Sequence, residues 1–514
     1  MSLAIADRLS SRRRLSLVRA VCACACVLAL AISGQPLRGQ MMGGGGMQGG
    51  GGMGGGGMGG GGMGGGGMGG GGMGGGGMGG GGGGSQAGGA GVVIDAQGVL
   101  RMNVVRDLGL SKAQRRAAAQ ELSGELQTHS KFRKVALSRL EAEVAKAAAT
   151  GHGIPEDMTK LAGLTRVQYV FIYPGEGSEP GEVVIAGPAE PWITDATGRV
   201  VGINTGSPTM LLEDLAAAMR AFPPGQPSDV LVGCSIDPRQ SGLAAMQAYI
   251  KKLGKVNPKA SVNDIVMGMA NALGPQDVRV DGVSPATHFA QVMVEADYRM
   301  KLIGIGLERA PVKMSTWIEL ASAGSVAQNA LQRWYFVPDY QCIRVSEDDL
   351  AFELVGRGVK LCGADEVVMP DGRRMSANRA DKASKLFTDT FTKKYVDIAV
   401  RSPVYGQLRN VIDLSIVAAY LQEHDAYGRV SWGAERLRDE GVYAIERYEV
   451  PTAVEPAINA VFRGSRLLTP IGGGVTIQPR MALDGPNLIM DEDGHVAKAH
   501  ATAKDLPAGR WWWD

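Results

Sequence analysis

The residues whose types and spacing could do chemistry fall on two helical stripes, one strand end and a few short clusters. In the segment from Pro285, His288, Gln291, Glu295 and Arg299 share one stripe at helical spacing. Phe289, Val292, Met293, Ala296, Met300 and Ile303 form the apolar stripe beside it. Glu295 and Arg299 stand at i and i+4, where opposite charges meet on a helix. His288 lies two turns earlier, roughly 10 Å along the axis at about 1.5 Å per residue. A His, a carboxylate and an Arg lining a groove could carry acid–base chemistry, so His288, Glu295 and Arg299 are the candidate catalytic residues. The same pattern also fits an ion-paired edge flanking a buried face.

The helix from Pro403 repeats the theme. Arg409, Asp413 and His424 share a stripe, and Asp413 interrupts the apolar run from Val411 to Ala419. A carboxylate there is part-buried and needs a partner; Arg409, one turn before it, is the one the spacing offers. Arg409 and Asp413 are therefore candidate binding residues, against a plain structural salt bridge. Asp237 closes a predicted strand behind Cys234 and Ser235, a place for function but also an ordinary Asp-Pro turn. Asp491-Glu-Asp-Gly is acidic, yet four residues do not make a Ca²⁺ site. The chain closes on Trp511, Trp512 and Trp513, which must contact something: their own core, a glycan, a lipid interface or a partner subunit.

Familiar catalytic motifs are missing. There is no Gly-x-Ser-x-Gly elbow, no phosphate-binding Gly-Lys loop, no His-Glu-x-x-His and no EF-hand loop. Gly304-Ile-Gly306 and Gly356-Arg-Gly358 begin like dinucleotide fingerprints but meet Arg309 and Leu361 where the third Gly should stand. We therefore expect no cofactor and no metal in the folded part.

The elements that must position these residues are strands and helices mixed without a strict βα repeat, which indicates an α+β fold with mixed or antiparallel sheets. Strands are predicted at 167–173, 182–186, 192–194, 199–203, 230–236, 278–280, 334–337, 342–345, 351–355 and 359–361. Helices are predicted over 211–222, 241–253, 261–273, 285–303, 378–399 and 403–424, and a divided helical region over 111–150. The last hundred residues read as loop-rich, with short strands at 441–447 and 475–478. We divide the folded part into α+β domains at 92–310 and 311–514.

Ahead of it, residues 1–34 read as a signal peptide. Five arginines precede an unbroken apolar run from Val21 to Ile32, too short to cross a bilayer. Ser11-Arg12-Arg13-Arg14-Leu15 also resembles a twin-arginine signal. Residues 35–91 read as a disordered linker: Met41 to Gly91 holds 37 Gly and 9 Met in 51 residues. So much Gly loses entropy on ordering with few side chains to recover it. Thioethers also bind Cu(I), but the tract lacks the His that usually accompanies such sites. With 53 basic and 51 acidic residues the net charge is +2, which excludes a nucleic-acid binder. Export permits disulfides, and among Cys234, Cys342 and Cys362 the pair Cys342–Cys362 is the candidate bridge, against three buried thiols.

Four segments carry a resemblance: Ala186-Gly-Pro-Ala-Glu-Pro-Trp, Gly233-Cys-Ser-Ile-Asp-Pro, Phe289 to Glu308, and Leu468-Thr-Pro-Ile-Gly-Gly-Gly-Val. Together they resemble a planctomycete family of secreted proteins catalogued as a domain of unknown function. The resemblance implies an exported chain of this layout and supplies no catalytic residue.

The sequence thus points to an exported, periplasmic or extracellular protein with no transmembrane span in its mature chain. It reads as a non-catalytic binding or structural protein, tethered by the Gly/Met linker and engaging a cell-envelope component or protein partner. The competing readings are a secreted hydrolase around His288, Glu295 and Arg299, and copper binding by the Met tract.

Overall fold

Val-, Ile- and aromatic-rich runs pair into two large sheets, and the longest apolar helices lie between them. The computed structural model describes residues 92–514 apart from 96, 103–111, 152, 176–179, 226–228, 255–260, 323–329, 365, 370, 372, 377–380, 460, 464–465, 469–472 and 505–506. The expected signal peptide and the Gly/Met tract, with its copper reading, lie outside the described residues. The described residues belong to one compact unit.

The first sheet has eight strands, in the order Val92–Ile94, Val99–Met102, Ala453–Val454, Gln276–Asp281, Val232–Pro238, Gly473–Ile477, Trp334–Pro338 and Val359–Gly363. The second has seven, in the order Leu488–Met490, Ile343–Val345, Ala351–Leu354, Tyr169–Tyr173, Glu182–Ala189, Ser130–Ala136 and Trp512–Trp513. Most pairs are antiparallel. Three pairs are parallel: Trp334–Pro338 with Gly473–Ile477, Val99–Met102 with Ala453–Val454, and Ile343–Val345 with Leu488–Met490. The fold is α+β with mixed sheets. Strands from both sides of residue 310 alternate within each sheet.

Between the sheets stand the helices Leu212–Ala221, His288–Gly304 and Pro403–Glu423. The His288–Gly304 helix packs on the first sheet and against the other two helices. The Pro403–Glu423 helix reaches the second sheet through Tyr420, whose ring lies 4.2 Å from that of Phe352. Both helices are buried on almost every face, as helices enclosed on all sides must be. The polar stripe from His288 to Arg299 therefore points into protein rather than solvent, and each of its members needs an internal partner.

Local departures from the sequence reading have physical causes. Ser130–Ala136, inside the region expected to be helical, is a strand, held in register by Glu182–Ala189 on one side and the terminal tryptophans on the other. The helix expected over 378–399 is two, Lys382–Lys393 and Tyr395–Arg401, meeting at Lys394. Residues 441–447 form no strand and strap across other elements instead.

Two cysteine and tryptophan candidacies need correction. Cys342 and Cys362 are free thiols, as is Cys234. Cys362 lies in the first sheet opposite Tyr335, whereas Cys342 adjoins the Ile343–Val345 strand of the second. Trp511, Trp512 and Trp513 are each 8% exposed and close the edge of the second sheet. Arg133, fully buried, stacks 4.7 Å from the Trp512 ring and donates to the Asp514 carboxylate at 2.8 and 2.9 Å. The indoles pack against their own chain.

Candidate functional site

The three candidate catalytic residues are joined by buried hydrogen bonds, through partners far away in sequence. Thr287 caps the helix that carries them, its hydroxyl accepting from the Ala290 N–H at 3.2 Å. His288 follows at the helix start. Its Nδ1 lies 2.9 Å from Asp214 Oδ2, and its Nε2 lies 3.1 Å from the side-chain amide nitrogen of Gln407. The Gln407 amide oxygen accepts from Arg199. Arg199 in turn grips Glu295 with a bidentate pair of bonds at 2.5 and 2.6 Å. Arg299 touches Glu295 at 3.4 Å and commits itself to Glu308 at 2.6 Å.

The donor order in this chain is consistent from end to end. Arg199 donates to Gln407, Gln407 donates to His288 Nε2, and the neutral His288 donates through Nδ1 to Asp214. Burial opposes a charge on His288, but the Asp214 and Glu213 carboxylates outweigh it and lift its pKa above the ordinary value. When His288 charges, its Nε2–H faces an amide N–H, and Gln407 must turn against Arg199. Arg299 is more basic than usual despite burial, through Glu308 and Glu295. Both ring nitrogens of His288 are thus occupied, and no Ser, Thr or Cys stands at either as a nucleophile.

Beside this network opens a cleft of about 560 Å³. Its walls are the end of the Leu212–Ala221 helix, the turn from Gly282 to Thr287 and the strap from Glu440 to Arg447. The strap is fastened by Tyr448 N–H to Ala286 O at 2.9 Å and by the Gln291 side chain to Glu449 O at 3.2 Å. The Tyr448 hydroxyl lies 3.0 Å from Glu213 Oε1 and 3.4 Å from Glu446 Oε2, and its ring centre is 6.0 Å from that of His288. Glu213 Oε2 is buried without a hydrogen-bond partner. Burial above all, together with the Asp214 charge, raises the Glu213 pKa to about 7. Tyr448 is raised as well, by burial and by Glu213.

The cationic side chains of the cleft are differently committed. Arg220 donates to Leu437 O, Tyr443 O and Glu440. Arg447 is 81% exposed and only 4.0 Å from Glu440. Glu446 and Glu213 have no ion-pair partner among the described residues. His288, Glu295 and Arg299 are not among the residues lining this cleft.

The second stripe pairs differently from its spacing. Asp413 is fully buried and accepts from Arg166 Nε at 3.1 Å, a residue 247 positions away. Arg409 makes no such bond. His424 stacks on Tyr420 at 4.0 Å instead of joining them. Asp237 meets Arg374 at 2.6 Å and Arg333 at 3.3 Å on the outer face of the first sheet. Asp491 accepts from the backbone N–H groups of His495, Val496 and Ala497, capping the His495–Thr502 helix. Among the described residues no three His, Cys, Asp or Glu side chains gather to hold a metal ion. No described helix is long and apolar enough to cross a membrane.

Asp214, Arg199, Gln407, Glu213, Glu446 and Tyr448 were not singled out by the sequence. One signal was available for Asp214: like Asp413, it is a carboxylate inside an apolar helical run.

Residues 234–317 match the model of a family described as "Protein of unknown function (DUF1598)". The matched stretch runs from Cys234 through the whole His288–Gly304 helix to Trp317. It includes Phe289 to Glu308 and all but the first residue of Gly233–Pro238, two of the segments that carry the resemblance. No curated protein and no solved structure matches the chain.

Proposed function

We propose that this chain is an exported, non-catalytic binding protein whose cleft beside His288 receives a small ligand bearing a cationic nitrogen. The leader and the Gly/Met tract support export and tethering. The observation that carries the ligand reading is at the cleft: Glu446 in its wall makes no ion pair among the described residues, and Glu213 just behind keeps a buried oxygen with no hydrogen-bond partner, so a cation is the group the site lacks. An ammonium or guanidinium group would supply it. The volume of about 560 Å³ suits a small molecule, since such pockets run from roughly 300 to 1,000 Å³. His288, Asp214, Gln407 and Arg199 hold the floor in place rather than attack a substrate. A hydrolase has less support, because Glu295 and Arg299 are consumed in ion pairs away from the cleft.

The test is calorimetric titration of the whole exported chain with linear diamines, arginine and lysine, against neutral analogues of equal length. The expected result is binding of at least one cation and none of its neutral analogue, weakened at least tenfold in Glu446→Gln. Absence of binding by every cation, or equal binding by Glu446→Gln, overturns the assignment.

A further inference from the structure

A second cleft, of about 480 Å³, shares no lining residue with the first. The end of the Lys112–Glu121 helix, the turn that follows it, the short Glu156–Thr159 helix and the Trp192–Thr194 strand enclose it. It opens to solvent past Glu121, Glu156 and Thr194, all exposed. Its floor holds Trp192, 4% exposed. The indole Nε1–H of Trp192 is buried and has no hydrogen-bond partner among the described residues. This departs from the other buried indoles of Trp317, Trp334 and Trp432, which donate to Asp381, Ser384 and Glu141. A desolvated donor without an acceptor is costly. A Cβ added at Gly163 would meet the ring at Cε3 and Cζ3, 3.0 and 3.1 Å away. Nε1 is on the opposite side of the indole, the side given to the cleft.

The groups around that N–H narrow the ligand. Asp157 is half-buried, its Oδ1 accepts from the Met158 N–H at 3.0 Å, and burial lifts its pKa above the ordinary value. Asp157, Glu121, Glu156 and Lys160 line the cleft and form no ion pair among the described residues. Three carboxylates against one ammonium disfavour an anion. A bare cation has nothing to accept the indole N–H. A hydroxyl both accepts and donates, so a ligand with neighbouring hydroxyls serves Trp192 Nε1–H with one and Asp157 with the next. The rest of the lining is apolar at Leu122, Leu126 and Ile193. A pyranose ring matches this mixture, with hydroxyls on its edge and C–H groups on its faces. Water shares the donor and acceptor character of a hydroxyl but offers those three side chains no apolar face. The volume lies within the range of small-ligand sites.

We propose that the cleft over Trp192 binds a neutral pyranose saccharide. The Trp192 indole N–H donates to one ring hydroxyl, the Asp157 carboxylate accepts from its neighbour, and Lys160 donates to a further oxygen. Leu122, Leu126 and Ile193 cover the C–H face. The site is independent of the cation cleft beside His288.

The test is a nitrogen–proton correlation spectrum of the tryptophan indoles of the whole chain, titrated with glucose, galactose, mannose and N-acetylglucosamine, and separately with cyclohexanol and lysine. The chain has seven Trp, and the peak lost from Trp192→Phe assigns Trp192. At least one sugar should move that peak saturably. Cyclohexanol, with an apolar ring and a single hydroxyl, should not. In Asp157→Asn the half-saturating sugar concentration should rise roughly fivefold or more, as loss of a hydrogen bond to a charged group implies. The remaining indole peaks, unmoved in that variant, show that weaker binding is not lost folding. Trp192→Phe, followed by calorimetry, should weaken binding by a similar factor and supplies the same reading if Asp157→Asn disturbs those peaks. No saturable shift with any of the four sugars, an equal response to cyclohexanol, or undiminished binding in both variants overturns the proposal. A response to lysine alone identifies a zwitterionic ligand and overturns it as well.

Discussion

Replacing Arg199 by Met removes the keystone of the buried network. The side chains of Arg199 and Glu295 are 4% and 2% exposed, and their two bonds are 2.5 and 2.6 Å long. Breaking a buried pair by deleting one partner costs about 3–5 kcal/mol, mostly from the charge left behind. Arg299 stays 3.4 Å from Glu295 and tempers that cost, so the lower end, about 3 kcal/mol, applies. Gln407 also loses its donor, which adds about 1 kcal/mol. We therefore expect Arg199→Met to lose roughly 4 kcal/mol in equilibrium urea unfolding followed by tryptophan fluorescence. Glu295→Leu should be similarly damaging, whereas the double variant should recover much of the loss, since apolar replacement of a whole buried pair is often neutral. Removal of the Arg199 charge should also raise the His288 pKa further, seen in its ring-proton NMR titration, because that cation now holds it down. Single variants costing under about 1 kcal/mol, or a strictly additive double variant, would refute the picture of a desolvated pair.

Two further variants test the frame around the sites. Gly473→Ala places a Cβ 2.4 Å from both Lys301 Cε and Trp334 O, beside the buried Lys301–Asp297 pair; overpacking of this kind should cost about 3 kcal/mol, and an unchanged urea midpoint would contradict it. Asp491→Ala should fray the His495–Thr502 helix at a cost of about 1 kcal/mol, read by faster amide exchange at His495, Val496 and Ala497. Although burial opposes it, those three N–H donors hold the Asp491 pKa below its ordinary value of 3.8. Its contribution is therefore present above that value and fades as pH falls through the lower folded value. Equal acid sensitivity in Asp491→Ala and wild type would count against this.

The contrast between what spacing revealed and what it hid follows from sequence distance. The Leu212–Ala221, His288–Gly304 and Pro403–Glu423 helices were legible because their apolar residues recur at helical period. The strands around Phe171, Ile185 and Phe336 were legible as dense apolar runs. Ser130–Ala136 was not, because its Lys and Arg residues resemble a solvated helix until Trp512 and Trp513 pair beside it. The Glu295–Arg299 contact was foreseen at i,i+4 and exists at 3.4 Å. The stronger partners, Arg199 for Glu295 and Arg166 for Asp413, are 96 and 247 residues away. Local periodicity carries no record of such pairs. What it does carry is the anomaly of Asp214 and Asp413, carboxylates set in apolar helices, and both lie in the buried pairs described above.

The most direct test of the central claim is the pH dependence of cation binding at the cleft, measured by calorimetry on the whole chain between pH 5.5 and 8.5. Glu213, raised to about 7, is neutral on the acid side and charged on the basic side. The account predicts that affinity for an alkyl diamine rises severalfold as pH increases through about 7, and that Glu213→Gln flattens the rise. A cation affinity that is absent throughout, or that falls as pH rises, would contradict it.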